Sequence, residues 1–389
     1  MALEDRLARG GQEFRTCVVR FPLQGTSDPA SLPRMTTTRF GTSLCAVAVA
    51  ASAVLSVQAG AARSAPEPAR LGPVKSYLLT HTKQLTAFTR ELQAISNRYY
   101  ARAKRDGFRS GALAKDAAVR RDLLRAKRIW VEGNPLYERV EGIVAGTPSL
   151  ATYDVILDAG SSAAEDPASA VPFDLKLPNG KVLRKPGNLY NLTEGMLWGT
   201  LPTLVSGKAD LDGDGRFEFG EVLPEPNAFK AAVDAFVLYG GRLDRAARAW
   251  QPTSSDAFTS VVVMVPTMSE YFGQWKTSRF VLGDRASSEA FNVVSRLSDI
   301  GDILGGLRVI YAGIRPSIAG VDSAQAAQTK RDLDSLHAFV GKLRTQENAG
   351  RRFTPQQADI LGRQAQERAT AIAGQVTQAA ARLKVKIAQ

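Results

Sequence analysis

Cysteine and histidine are scarce in this chain. Among its 389 residues are two cysteines, Cys17 and Cys45, and two histidines, His81 and His337. Both cysteines lie near the N-terminus, so cleavage after Ala59 would leave no thiol for a disulfide, a thiolate metal site or a nucleophile. The histidines are far apart in sequence, and neither a His-Glu-x-x-His nor a Gly-x-Ser-x-Gly motif occurs. These absences argue against a zinc peptidase and a serine hydrolase.

The sequence also lacks an apolar run long enough to span a membrane. Residues 44–57 are apolar over about 14 positions, follow the basic Arg39 and lead to small residues before the cleavage point at Ala59. This arrangement is typical of a secretory signal peptide. We therefore expect residues 1–59 to be an N-terminal extension and signal peptide, with the true start at Met35. The mature chain would be exported to the periplasm or cell envelope without spanning a membrane.

Basic residues outnumber acidic ones, with 50 Lys and Arg against 38 Asp and Glu. Much of the excess lies between Arg98 and Arg128. Export and the lack of a nucleic-acid-binding motif argue against a nucleic-acid partner. Two interpretations stay open: a solvated helical face, and a basic face that docks an anionic polysaccharide or a protein of the cell envelope.

Apolar residues recur at steps of three and four along most of the chain, which predicts an all-α fold of one helical bundle or two in tandem. We expect a linker at 60–73, a first bundle at 74–200 with a small β-hairpin inserted at 160–187, a calcium-loop segment at 201–227 and a second bundle at 228–389. The predicted helices cover residues 74–104, 113–129, 134–144, 189–197, 228–238, 258–275, 286–312, 324–344 and 355–387.

Residues 210–221 match the twelve-position calcium loop of an EF-hand. Acidic residues alternate at its start, Gly215 permits the sharp turn at position six, and Phe217 is expected to pack inward. Pro224 and Pro226 would break an outgoing helix at once, which favours a structural staple over a sensor. The expected Ca²⁺ ligands are Asp210, Asp212, Asp214, Arg216 through its carbonyl, Glu218 and Glu221.

Two short segments resemble the imelysin family. Gly187-Asn-Leu-Tyr-Asn191-Leu-Thr-Glu194-Gly-Met-Leu-Trp198-Gly199 is similar to a family signature with a Gly, His-x-x-Glu and an apolar run. Leu136-Tyr-Glu138-Arg-Val-Glu141 is similar to the family's Tyr-Glu-Arg-Ile-Glu stretch. The family includes periplasmic EfeO-type iron-uptake components and iron-regulated envelope proteins, and some members carry a peptidase label. The resemblance implies tandem four-helix bundles, with the calcium loop inserted here.

The resemblance also implies a second metal site, for iron or another metal, at the His-x-x-Glu positions. Asn191 stands where the family has histidine, and an amide is a poor ligand for iron, zinc or copper. An oxygen-only site is one interpretation; the other is that Asn191 and Glu194 are buried hydrogen-bonding residues. The candidate residues for this degenerate site are Asn191, Glu194, Glu138, Glu141, Asp154 and Asp158.

Two functions from different classes follow. The first is an exported, non-catalytic, calcium-binding imelysin-like protein linked to metal (iron) acquisition in the cell envelope. The second is a structural or interaction subunit of a cell-envelope or surface-layer complex that calcium stabilises. A peptidase is a third alternative, which the missing motifs disfavour.

Overall fold

Helices account for most of the structure, a computed structural model that describes residues 68–388. The predicted signal peptide and the start at Met35 lie outside the described residues. The long helices are α1 (Gly72–Arg105), α3 (Ala117–Val144), α6 (Pro226–Ala249), α10 (Arg296–Val321), α11 (Ser323–Asn348) and α12 (Pro355–Leu383). The short helices are α2 (Ser110–Lys115), α4 (Ala151–Asp154), α5 (Leu189–Trp198), α7 (Ser254–Met264), α8 (Met268–Thr277) and α9 (Arg279–Leu282).

Two small antiparallel hairpins interrupt the helices. The first joins β1 (Leu175–Lys176) to β2 (Val182–Leu183), inside the segment where a hairpin was predicted. The second joins β3 (Val205–Lys208) to β4 (Val222–Pro224) on either side of the predicted calcium loop. The all-α prediction is confirmed, because the strands are short and form only these two-stranded sheets among the described residues.

Several helix boundaries differ from the prediction, and two of the differences have a clear physical reason. The predicted break at Asn134 is wrong, because α3 continues through Pro135. Buried Trp130 and Tyr137 lie on either side of this proline, and their packing keeps the helix intact although one backbone hydrogen bond is lost. The predicted helix at 286–312 begins only at Arg296, after Ser295 caps it by accepting a hydrogen bond from the Leu297 N–H at 3.3 Å.

The helices form two neighbouring groups. In the first group α1 packs against α3 and α6, and α5 packs against α6. In the second group α12 packs against α7, α8 and α11, and α10 packs against α11. Helix α6 falls within the range predicted for the second bundle, yet its partners belong to the first. Within residues 68–388 no helix combines the length and the apolar character needed to cross a membrane.

Glycines bring α3 and α10 into close contact at the junction of the two groups. A Cβ atom on Gly306 of α10 would lie 2.2 Å from the backbone oxygen of Arg139 on α3. A Cβ atom on Gly142 of α3 would lie 2.8 Å from the side chain of Leu307. Larger residues would therefore separate the two helices.

We expect Gly306→Ala to destabilise the protein by about 1–3 kcal/mol, because its methyl group would clash with the α3 backbone. Gly305→Ala is the matched control: its Cβ atom would meet nothing within 4 Å, and alanine favours the helix by up to about 1 kcal/mol. Urea unfolding measures both. Equal effects of the two substitutions would contradict the close approach of α3 and α10.

Candidate functional site: an acidic cavity between the helices

A cavity of about 840 Å³ lies among α3, the turn after α4, α5, α8 and α10. This volume is typical of sites for small ligands. The charged side chains that line it are Glu141, Asp154, Asp158, Glu165, Glu270, Glu289 and Arg296. Because one basic residue faces several acidic ones in this described lining, the cavity attracts cations.

A π-helical turn helps to shape the acidic wall. Helix α4 continues into this turn at Val155–Ala159, and such turns are rare and often found at functional sites. The hydroxyl of Tyr137 on α3 donates a hydrogen bond to Asp154 Oδ1 at 2.7 Å. This bond holds the turn against α3, with Asp154 and Asp158 at the cavity wall.

Glu138, Glu141 and Asp158 form the centre of the site, and we call them the acidic triad. All three are buried, and one carboxylate oxygen from each lies within 4.8 Å of the others. Burial, followed by the charge of Asp299, raises the pKa of Glu138 well above its usual range. Burial, followed by the charge of Glu141, raises the pKa of Asp158 to about 7. Protons or a bound cation would relieve this repulsion.

Arg296 supplies a buried positive charge beside the triad. Its Nη1 lies 3.3 Å from Glu138 Oε2 and 3.4 Å from Asp299 Oδ2. Its guanidinium carbon lies 4.4 Å from the ring centroid of Tyr271 and 4.2 Å from that of Phe291. One guanidinium cannot neutralise the triad and Asp299 together, so the cluster keeps an excess of negative charge when its carboxyls ionise.

Glu141 carries an oxygen without a hydrogen-bond partner. The Tyr271 hydroxyl donates to Glu141 Oε1 at 2.7 Å. Glu141 Oε2 is buried and accepts no hydrogen bond from the residues that the structure describes. An unpartnered buried carboxylate oxygen destabilises the fold by about 1–3 kcal/mol or more. Since Glu141 lines the cavity, a cation would complete its coordination there.

The candidate residues for the second metal site fall into two places. Glu138, Glu141 and Asp158 come together in the triad, and Asp154 and the half-buried Asn191 line the adjacent cavity. Glu194 instead contacts the segment before α10: its Oε1 accepts a hydrogen bond from the Asn292 N–H at 2.9 Å. Burial raises the pKa of Glu194 to about 8. This contact agrees with the interpretation of Glu194 as a buried hydrogen-bonding residue.

Sequence reasoning missed Arg296, Asp299 and Tyr271 as site residues. Arg296 and Asp299 are charged residues three positions apart on α10, where Leu297 and Ile300 are buried. Charged residues on the buried face of an apolar helix were the available signal. Tyr271 lies in an apolar stretch whose aromatic residues are typical of a protein core. No pattern in the sequence reveals that its hydroxyl reaches Glu141.

The predicted calcium loop brings its first three acidic residues together. Asp210, Asp212 and Asp214 each place one carboxylate oxygen within 4.8 Å of the others. Gly215 has φ of +84°, as the turn at position six requires. The Glu221 carboxylate accepts hydrogen bonds from backbone N–H groups of the loop at 2.8 and 3.0 Å. The side chains of Arg216 and Glu218 are exposed.

Strands rather than helices flank the loop, and the expectation that Phe217 packs inward is wrong. Lys208 pairs with Val222 directly beside the loop. No helix leaves the loop directly: β4 ends at Pro224, and Pro226 begins α6, where its missing N–H is harmless. Phe217 does not pack inward: it is 60% exposed.

The loop contacts three helices of the body. The Lys127 Nζ on α3 donates to the Gly220 carbonyl, and it lies 5.1 Å from the ring centroid of Trp198 on α5. The guanidinium carbon of Arg279 on α9 lies 3.9 Å from the ring centroid of Phe219. The loop therefore connects α3 and α5, which line the cavity, with α9.

The predicted basic face between Arg98 and Arg128 is partly neutralised. Arg98 pairs with Asp122, and Arg102 and Arg105 pair with Asp116. The other exposed basic residues of this surface are Lys104, Arg109, Lys115, Arg121, Arg125 and Arg128. Arg125 also pairs with Glu91.

These features define an all-α protein with a buried carboxylate cluster open to a cation-attracting cavity. The family model described as Imelysin (Peptidase_M75) matches residues 77–383, so the chain belongs to the imelysin family. The predicted family membership is confirmed. The family is linked to iron-regulated envelope proteins. A search of the curated proteins finds no match to the chain.

Buried carboxyls make the stability of the metal-free protein depend on pH. Burial raises the pKa of Asp299 and Asp158 to about 7 and that of Glu194 to about 8, so each stabilises the fold in its protonated form. This stability is complete below the unfolded-state pKa and is lost as the pH rises through 7 to 8. Lys127, whose pKa burial lowers to about 8, acts in the opposite sense but is a single group.

In chelator, we therefore expect the melting temperature to fall as the pH rises from 5 to 8.5. Glu194→Gln removes one titrating carboxyl and should show a smaller fall. Calorimetry at matched ionic strength measures both. A melting temperature that rises over this range would contradict the protonation states inferred for the cluster.

Proposed function

We propose that this imelysin-family protein is an exported, non-catalytic metal-binding protein that acts in iron acquisition in the cell envelope. The acidic triad would hold the cation, with Asp154 beside it. The observation that carries the proposal is the buried, unpartnered Oε2 of Glu141 next to carboxylates of Glu138 and Asp158. A bound cation would neutralise the negative charge of this group and would also give the unpartnered oxygen a ligand bond.

The ligand chemistry favours hard cations. Carboxylate oxygens suit Mn²⁺, Ca²⁺, Mg²⁺ and ferric iron, whereas zinc and copper favour imidazole or thiolate. Asn191 lines the cavity at the position where the family signature has histidine. The residues present therefore fit an oxygen-only site, and selectivity would differ from that of a site with a histidine ligand.

A binding role agrees better with the cavity than peptidase chemistry does. Two of its carboxylates accept hydrogen bonds from tyrosine hydroxyls at 2.7 Å. Hydrogen bonds of this kind orient metal-ligating side chains in proteins. His81 hydrogen-bonds the Tyr77 carbonyl on α1, and His337 lies on α11. Neither is among the residues that line the cavity.

We expect one Mn²⁺ ion to bind in the cavity of the Asp212→Asn variant, whose calcium loop is disabled. Glu141→Gln in that background should weaken binding by at least about tenfold, because a metal ligand loses its charge. Glu132→Gln, an exposed acid on the same helix, is the control. Isothermal titration calorimetry measures affinity and stoichiometry. Asn191→His should add affinity for Zn²⁺.

Undiminished Mn²⁺ binding by the Glu141→Gln variant would rule out the triad as the site. If Asn191→His gains no Zn²⁺ affinity while the triad still binds Mn²⁺, the amide does not face the ion, and only the selectivity argument fails.

We also propose that the loop at 210–221 binds Ca²⁺ as a structural staple. Its three converging aspartates offer hard oxygen ligands, and its contacts to α3, α5 and α9 would transmit the ordering of the loop to the body. The alternative role, a calcium-stabilised envelope subunit, would use the exposed basic residues of the 98–128 surface to dock an anionic polysaccharide or a protein. Charge reversal at Lys104 and Arg121 separates that role from metal acquisition, because the cavity is untouched.

Calcium at about 100 times its dissociation constant should raise the melting temperature by about 5 °C, since binding to the folded state adds about 2.7 kcal/mol. Asp212→Asn should abolish the shift, and Glu132→Gln should preserve it. Differential scanning fluorimetry with and without calcium provides the measurement. A full shift in the Asp212→Asn variant would place the calcium elsewhere.

A further inference from the structure

Glu194 lies one helical turn beyond Asn191 on α5, and its carboxylate contacts the segment that precedes α10. Its Oε1 accepts a hydrogen bond from the Asn292 N–H at 2.9 Å, and the Phe291 N–H also donates to this carboxylate. Glu194 is 3% exposed, so no water replaces these two donors without rearrangement. Its oxygens therefore hold a backbone turn.

The turn that Glu194 holds has an unfavourable backbone conformation. Phe291 has φ of +58°, in the left-handed region that residues with a Cβ atom avoid. Further contacts pin the same turn: Thr200 Oγ1 donates to the Glu289 carbonyl at 2.6 Å, and Asn292 Oδ1 accepts from the Arg279 N–H at 3.0 Å. A strained turn persists only where its surroundings determine it this strongly.

The turn places the Phe291 ring against Arg296. The Phe291 ring centroid lies 4.2 Å from the guanidinium carbon of Arg296. The Tyr271 ring centroid lies 4.4 Å from the same carbon. With both rings against its guanidinium, Arg296 directs Nη1 to Glu138 and Asp299. This orientation leaves Glu141 Oε2 unpartnered and open to a cation.

We propose that Glu194 is a positioning residue rather than a metal ligand: through the Phe291–Asn292 turn it fixes Arg296 where the guanidinium orients Glu138 without occupying the cation position. This inference rests on the proposed metal-binding function. When the turn is released, Arg296 gains freedom to pair with Glu141 or Asp158 and competes with the cation for their oxygens. The affinity of the site thus depends on a residue that does not touch the ion.

Substitutions at Glu194 and at Phe291 test the proposal. They are made in the full chain that carries Asp212→Asn, and Mn²⁺ is the probe. Glu194→Ala removes both acceptors and should weaken Mn²⁺ binding about tenfold, while stoichiometry stays at one. Glu194→Gln keeps a carbonyl oxygen that accepts from the Asn292 N–H, and its affinity should stay close to the parent value. Phe291→Gly relieves the strained φ but removes the ring, and it should match Glu194→Ala.

Hydrogen exchange of the 287–293 amides, measured without metal, provides an independent readout. Exchange should accelerate in Glu194→Ala and stay slow in Glu194→Gln. If Glu194→Gln loses as much affinity as Glu194→Ala, the carboxylate charge itself binds the ion and the proposal is overturned. Parent-like affinity in Phe291→Gly would overturn it as well.

The failure of this inference differs from failure of the proposed function. If the parent protein binds no Mn²⁺, or if Glu141→Gln binds it undiminished, the triad is not a metal site and both ideas fall. If the parent binds Mn²⁺ and Glu141→Gln does not, the triad stands, and the comparison of the two Glu194 variants decides the positioning role alone.

Discussion

The burial of several carboxylates around one arginine is the constraint on which the rest of this structure depends. Glu138 and Glu141 on α3 face Arg296 and Asp299 on α10, at the junction of the two helix groups. Ionised carboxylates in a low-dielectric interior repel one another strongly unless protons or cations neutralise them. The fold brings α3 and α10 close together through glycines, and it thereby concentrates this charge rather than dispersing it. The proposed metal-binding function rests on that arrangement.

Much of the fold could be predicted from the sequence because helical periodicity is a local property. The long helices α1, α11 and α12 lie within a few residues of their predicted positions. The errors fall where tertiary packing overrides local signals. Pro135 stays inside α3 because buried residues lie before and after it along the helix, and α6 joins the first group because its apolar face packs on α1. Pairwise packing of this kind leaves no trace in the spacing of residues.

The site was predicted in part, and the reason for the gap is physical. The family resemblance pointed to Glu138, Glu141, Asp154 and Asp158, which the fold brings together at the acidic cavity. The segment Gly187–Gly199 pointed to Glu194, but spacing along a helix indicates only a shared face, not what that face meets. Arg296, more than 90 residues downstream of Glu194 in sequence, completes the charge arrangement. Long-range partners of this kind emerge only when the helices are assembled.

The central claim is that the acidic triad holds a cation, and anomalous X-ray diffraction from crystals soaked in Mn²⁺ tests it most directly. The account predicts an anomalous peak in the cavity, coordinated by oxygens of Glu138, Glu141 and Asp158. A cavity without a peak at saturating Mn²⁺, or a peak coordinated by Asn191 and Glu194 instead, would contradict it.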